Sequence, residues 1–86
     1  MRYFEIGFNN DTRDECINED GYAEVDYSIC ILAERKPSIE EATKFCESDM
    51  KKLGYKYVVD VSEIEEEYAA SCYDMEDAET RFPIFR

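Results

Sequence analysis

The side chains in this sequence that could do chemistry are carboxylates and thiols. Histidine is absent, which removes the commonest general base, the commonest metal ligand and every Ser-His or Cys-His pair. Twenty-two Asp and Glu residues leave acid-pair chemistry open. The three glycines, Gly7, Gly21 and Gly54, form no phosphate-cradling loop. Cys16, Cys30, Cys46 and Cys72 stand 14, 16 and 26 residues apart, without the close pair that lets one tight turn supply two zinc ligands. No disulfide is expected of a chain without export features. Cys30, Cys46 and Cys72 read as core or half-buried residues, and Cys16, set among charges, as the exposed thiol. The acidic stretch 9–21 fails as a calcium loop. Counting from Asp11 the sixth residue is Cys16, and from Asp14 it is Glu19, where an EF-hand needs glycine. It reads as a solvated acidic loop. The expectation is a protein that is not an enzyme and uses no metal or cofactor.

What remains is charge. Ten bases face the 22 acids, for a formal net charge of -12. That charge repels phosphate, so direct binding to nucleic acid is not expected. Residues 11–34 hold eight acids and one base, Arg13, and residues 57–80 hold nine acids and no base. The bases concentrate at 35–56, six against four acids. A last helix, starting at Ser62 or Glu63, would carry Glu63, Glu65, Glu66, Glu67, Asp74, Glu76 and Asp77 along about 21 Å. One charge per roughly 3 Å approaches the phosphate spacing of one DNA strand. Acids near that helix's C-terminal end oppose the dipole, and Glu63 and Glu67 repel one another. These costs set a binding role level with solubility as the reading of this face. Tyr22, near Glu24 and Asp26, and Tyr73, on the outer face of the helix, add contact area at little rotamer cost. The candidate partner-binding residues are therefore Glu63, Glu66, Glu67, Tyr73, Asp74, Asp77, Glu24, Asp26 and Tyr22.

The elements that must position them follow from periodicity. Arg2 to Phe8 alternates, with Phe4, Ile6 and Phe8 on one face. Asp20-Gly21 is a turn dipeptide, with a hairpin opening at Cys16-Ile17-Asn18. Tyr22 to Ala33 alternates as a second strand, with Val25, Tyr27, Ile29 and Ile31 together. Ser38 and Glu41 form a capping box for a helix over 38–53, which Gly54 ends. Tyr55 to Val61 reads as a third strand. Ile64, Tyr68, Cys72 and Met75 form the buried stripe of the last helix, and Phe82-Pro83-Ile84-Phe85 reads as a short edge strand. With 44% hydrophobic residues and 12 aromatics over 86 residues, the chain supports one domain, 1–86. The fold class is α+β: a small, mainly antiparallel sheet in the order β-β-α-β-α, with helices packed on one face.

In size, acidity and want of catalytic groups the whole chain resembles the small anti-defence proteins of phages and mobile elements, anti-CRISPR proteins among them. The resemblance lies in bulk properties, so no residue role carries over. It implies an inhibitor that occupies the basic channel of a CRISPR effector, in the cytoplasm of a bacterial host. The same physics suits an immunity-type protein that neutralises a basic toxin. A different alternative is a housekeeping interaction domain that binds through the 82–85 tail or a sheet edge. No segment approaches the roughly 18 apolar residues of a membrane span, and the early acid Glu5 argues against a signal peptide.

Overall fold

Alternation makes Arg2–Asn9 the first strand, β1, and its Phe4, Ile6 and Phe8 are wholly buried. In this computed structural model, which describes residues 1–73 and 82–86, β1 is an inner strand of a four-stranded sheet. It pairs antiparallel with β2 (Tyr27–Ala33) and with β3 (Tyr57–Ile64). The final strand β4 (Ile84–Phe85) adds to β2 in parallel, giving the order β3-β1-β2-β4. The α+β class, the strand order along the chain and the docked C-terminal edge are as the sequence indicates. Pro83 sits one residue ahead of β4, and its carbonyl accepts from Leu32 N at 2.9 Å.

Ser38 caps the first long helix as expected: its Oγ accepts from Glu41 N, and the Glu41 carboxylate accepts from Ser38 N at 3.0 Å. The helix is not continuous over 38–53. It turns at Cys46 (φ -96°, ψ 8°), giving α2 (Ile39–Phe45) and α3 (Glu47–Leu53). The turn leaves Ala42, Cys46 and Met50 all in the core against Phe4, Ile6, Phe8 and Ile31. Burial pushes the Cys46 thiol up to about 11, with Asp49 adding to the shift. Gly54 ends α3 in the left-handed region (φ 84°).

Arg35 lies against Glu41 through two hydrogen bonds, of 2.9 and 2.6 Å. The guanidinium, with the Ser38 N–H, holds the Glu41 carboxyl at about 2, below its usual 4.5. A depressed carboxyl stabilises the fold above pH 4.5 and loses that contribution as pH falls toward 2. Melting temperature followed over that window should fall more steeply in the native protein than in Arg35→Gln; equal slopes would refute the pairing.

Three departures from the sequence reading matter for the site. The second strand starts at Tyr27, not Tyr22, because the preceding chain is tied elsewhere. Glu24 N donates to Cys16 O and Asp26 N to Phe8 O, each at 2.9 Å. Val25 then leaves the face of Ile29 and Ile31 and lies over Gly7 on the opposite face. A Cβ at Gly7 would stand 2.6 Å from a Val25 methyl, so the missing side chain admits this packing. Gly7→Ala should cost about 1–3 kcal/mol in urea unfolding, and adding Val25→Ala should recover most of it. A neutral Gly7→Ala would refute the contact.

The second departure is that β3 runs on to Ile64, so the last helix, α4, starts at Glu66 and is described through Cys72. Glu63 is therefore a strand residue. The third is that the stripe read from Ile64 does not hold, because Ile64 is not helical. Ala69 is the buried residue of α4, with Tyr73 packed nearby, while Tyr68 and Cys72 are exposed. α4 also covers the other face of the sheet. Ala69 packs with Cys30, Leu32 and Phe82, whereas α2 and α3 cover Phe4, Ile6 and Phe8. The expectation of helices on one face holds for α2 and α3 only.

A short helix that the pattern did not signal, α1 (Arg13–Cys16), follows β1 with its own capping box between Thr12 and Glu15. It buries Cys16, so the exposed thiol is Cys72 and not Cys16.

Candidate interaction surface

β1 ends where β2 and β3 begin, so the chain from 10 to 26 and the start of β3 gather at one end of the sheet. The hairpin expected at Asp20-Gly21 is there: Ile17 bridges Ala23, and Asn18 N donates to Tyr22 O at 2.8 Å. The Asn18 side chain accepts from Asp20 N and Tyr22 N, both at 3.0 Å, and Gly21 takes φ 85°. These local bonds fix the acidic loop as a shaped surface.

On that surface Asp11, Asp14, Glu19, Asp20, Glu24 and Asp26 are all exposed. Among them stand the exposed apolar side chains Ile17, Tyr22, Val25, Tyr27 and Tyr57, Tyr22 at 72%. Arg13, the one base in the stretch 11–26, is drawn away: its guanidinium donates to Val59 O at 2.9 Å, on β3. Among the described residues the ion pairs are Arg2–Glu63 and Arg35–Glu41. The loop carboxylates take part in neither, nor do Lys51, Lys52 and Lys56 at the end of α3 and beyond. Asp26 accepts from Tyr55 Oη at 2.9 Å, and Tyr55 stacks on Tyr27 with ring centroids 6.0 Å apart.

The structure thus brings Tyr22, Glu24 and Asp26 to one end of the sheet, away from Glu63, Glu66 and Glu67. Glu66 and Glu67 are exposed in the first turn of α4, next to the end of β3 that pairs with Tyr3. That is the far end of β1, about 17 Å away at roughly 3.4 Å per residue. Glu63 lies on β3, where it is paired with Arg2 at 3.3 Å, so it does not share a helix ridge with Glu67. Asp74 and Asp77 lie outside the described residues.

Tyr73 does not stand on an outer helix face but lies half-buried against the sheet. Its hydroxyl donates to Glu5 Oε2 at 3.0 Å and lies 2.9 Å from Ser28 Oγ, and its ring meets Phe82 edge-on. Burial pushes its phenol up, and so does the Glu5 carboxylate beside it. Tyr73 follows α4 as its C-cap in extended conformation (φ -132°, ψ 151°), its N–H donating to Ala69 O at 2.8 Å. Alternation sets Val25, Tyr27 and Tyr57 on the apolar faces of their strands, and Ile17 reads only as part of a hairpin opening, so none of the four stands out as a contact residue. The signal available was that strand ends lose their neighbours on one side.

Among the described residues no group of three or more Cys, Asp or Glu side chains is placed to hold a metal ion. None of their helices is long and apolar enough to cross a membrane. Comparison of the chain with family models, curated proteins and solved structures gives no match.

Proposed function

We propose that this protein is a non-catalytic acidic inhibitor that binds the basic, nucleic-acid-contacting surface of a protein partner, a CRISPR effector being the partner class its bulk properties resemble. Its support is the end of the sheet whose segments carry six exposed carboxylates, outside any described ion pair, together with exposed Tyr22, Tyr27 and Tyr57. Exposed aromatics supply buried area on docking, and the acids supply steering toward Lys and Arg side chains placed for phosphate. The contact surface is this end, not the face of the last helix. Binding of such a partner takes place in the bacterial cytoplasm, where effectors meet their targets.

The test is a target-duplex binding assay with a panel of guide-loaded CRISPR effectors. Stoichiometric protein should prevent duplex binding by one class near 0.1 M salt, with protection fading toward about 0.5 M as screening shortens the reach of the charges. Inhibition of basic nuclease toxins instead would favour the immunity-type reading. Salt-independent binding, or loss of binding on removal of residues 82–86 alone, would overturn the acidic surface as the contact.

A further inference from the structure

The end of the sheet that carries the acidic loop also carries bases. Lys51, Lys52 and Lys56, three of the five lysines in the chain, are exposed in the last turn of α3 and just beyond it. Tyr55, between them, donates to Asp26 and stacks on Tyr27, and Tyr57 pairs with Asn9 at the end of β1. The segment 51–57 therefore lies beside the chain that leads out of the acidic hairpin. Yet the two sets of charge do not meet within the molecule, for neither described ion pair uses a lysine or a loop acid. Exposed Tyr22, Tyr27, Leu53 and Tyr57 belong to the same end.

We infer that this end docks a second copy of the chain across a two-fold axis, with Glu19, Asp20 and Glu24 of each copy against Lys51, Lys52 and Lys56 of the other. A patch that carries both signs side by side is complementary to itself when turned through half a rotation, so each contact is made twice. The exposed rings and Leu53 supply apolar area to exposed charge pairs that are each weak alone. The formal net charge of -12 opposes any such dimer, and ionic strength decides which effect wins. At about 0.15 M salt a charge reaches about 8 Å. That is short of the roughly 17 Å to Glu66 and Glu67 at the other end of β1, so only the local pairs count. At about 0.01 M the reach is about 30 Å, comparable with the 36 Å length of the described residues, and the whole excess of acid repels. At about 1 M it is about 3 Å, and the pairs themselves fade. The dimer is thus confined to intermediate salt. This inference does not depend on the inhibitor reading. On that reading, the partner and the second copy compete for the same acids, and the dimer is the reserve form.

The test is a dilution series of the isotope-labelled full chain, from about 2 mM to about 0.05 mM with a thiol reductant present, followed by amide chemical shifts and translational diffusion. Saturable shifts centred on residues 17–24 and 51–57 are expected, with Kd on the order of 0.1–1 mM near 0.15 M salt. Association should be at least about five-fold weaker at both about 0.01 M and about 1 M. This arm needs no variant to fold. In a second arm, Lys51→Glu with Lys52→Glu, and separately Glu19→Lys with Asp20→Lys and Glu24→Lys, should each stay monomeric. Their equimolar mixture should associate about as tightly as the native chain, since every acidic zone then faces a basic one. Glu66→Lys with Glu67→Lys should change Kd less than about two-fold near 0.15 M salt. Shifts that do not saturate, association that only grows with salt, or a mixture no more associated than its parts would each overturn the inference. Because this chain alone is measured, a monomer that inhibits an effector overturns the dimer and leaves the functional reading standing, and a dimer that inhibits none does the reverse.

Discussion

Changing Glu19, Asp20 and Glu24 together to lysine abolishes partner binding near physiological salt and leaves the thermal transition intact. The three side chains are exposed on the shaped loop. They take no part in the described ion pairs, and the hairpin is held by Asn18 and by backbone bonds. The substitutions replace three attractions by three repulsions within one Debye length of the partner's bases. At about 1 kcal/mol or more for each reversed contact, affinity falls by roughly 100-fold or more, partly through slower association. The fold is spared, since removing negative charge from a chain of net charge -12 lowers self-repulsion. Calorimetry of binding and a circular-dichroism melt measure both halves. Reversal of Glu66 and Glu67, at the other end of β1, should cost far less. If that pair weakens binding as much as the loop triple, net charge and not the loop surface is what the partner reads.

Phe8→Ala is expected to be the most damaging single truncation. Phe8 has no exposed surface, faces Val58 on β3 and Tyr27 on β2, and lies 6.0 Å from the Tyr55 ring. Cutting a buried Phe to Ala removes about 3–5 kcal/mol, a large share of the roughly 5–15 kcal/mol that holds a domain together. At about 4–8 °C for each kcal/mol, melting should drop by some 15 °C or more. Phe8→Leu, which keeps most of the volume, should recover over half of the loss. The damage reaches the surface as well. Phe8 supports Tyr55, which stacks on Tyr27 and donates to Asp26. A melting change under about 5 °C would show that the ring is not central to the core.

The strands, the caps and the tail were legible because each rests on local chemistry. Phe4, Ile6 and Phe8 alternate, Ser38 and Glu41 satisfy one another, and Gly54 supplies a left-handed end. What was not legible depended on contacts between distant segments. Val25 continues a perfect alternation in the sequence, yet it crosses to the other face because Gly7 leaves room there. Ile64 continues a helical spacing, yet it pairs with Tyr3 as strand, and that moves the register of everything after it. Tyr73 then turns from a surface tyrosine into the donor that fixes Glu5. The site was half readable for the same reason. Local acidity marked Tyr22, Glu24 and Asp26, while Tyr27 and Tyr57 stand exposed only because they lie at strand ends of the folded sheet.

Arg13 has an effect beyond leaving the loop acids uncompensated. β3 is an outermost strand, and such a rim is a template on which further chains can add and grow into fibres. Here the rim is blunted twice, by the register shift opposite Gly7 and Phe8 and by the Arg13 guanidinium seated on Val59 O. The opposite rim ends in a strand of two residues. Both rims of the sheet thus present little free backbone on which a further strand could pair.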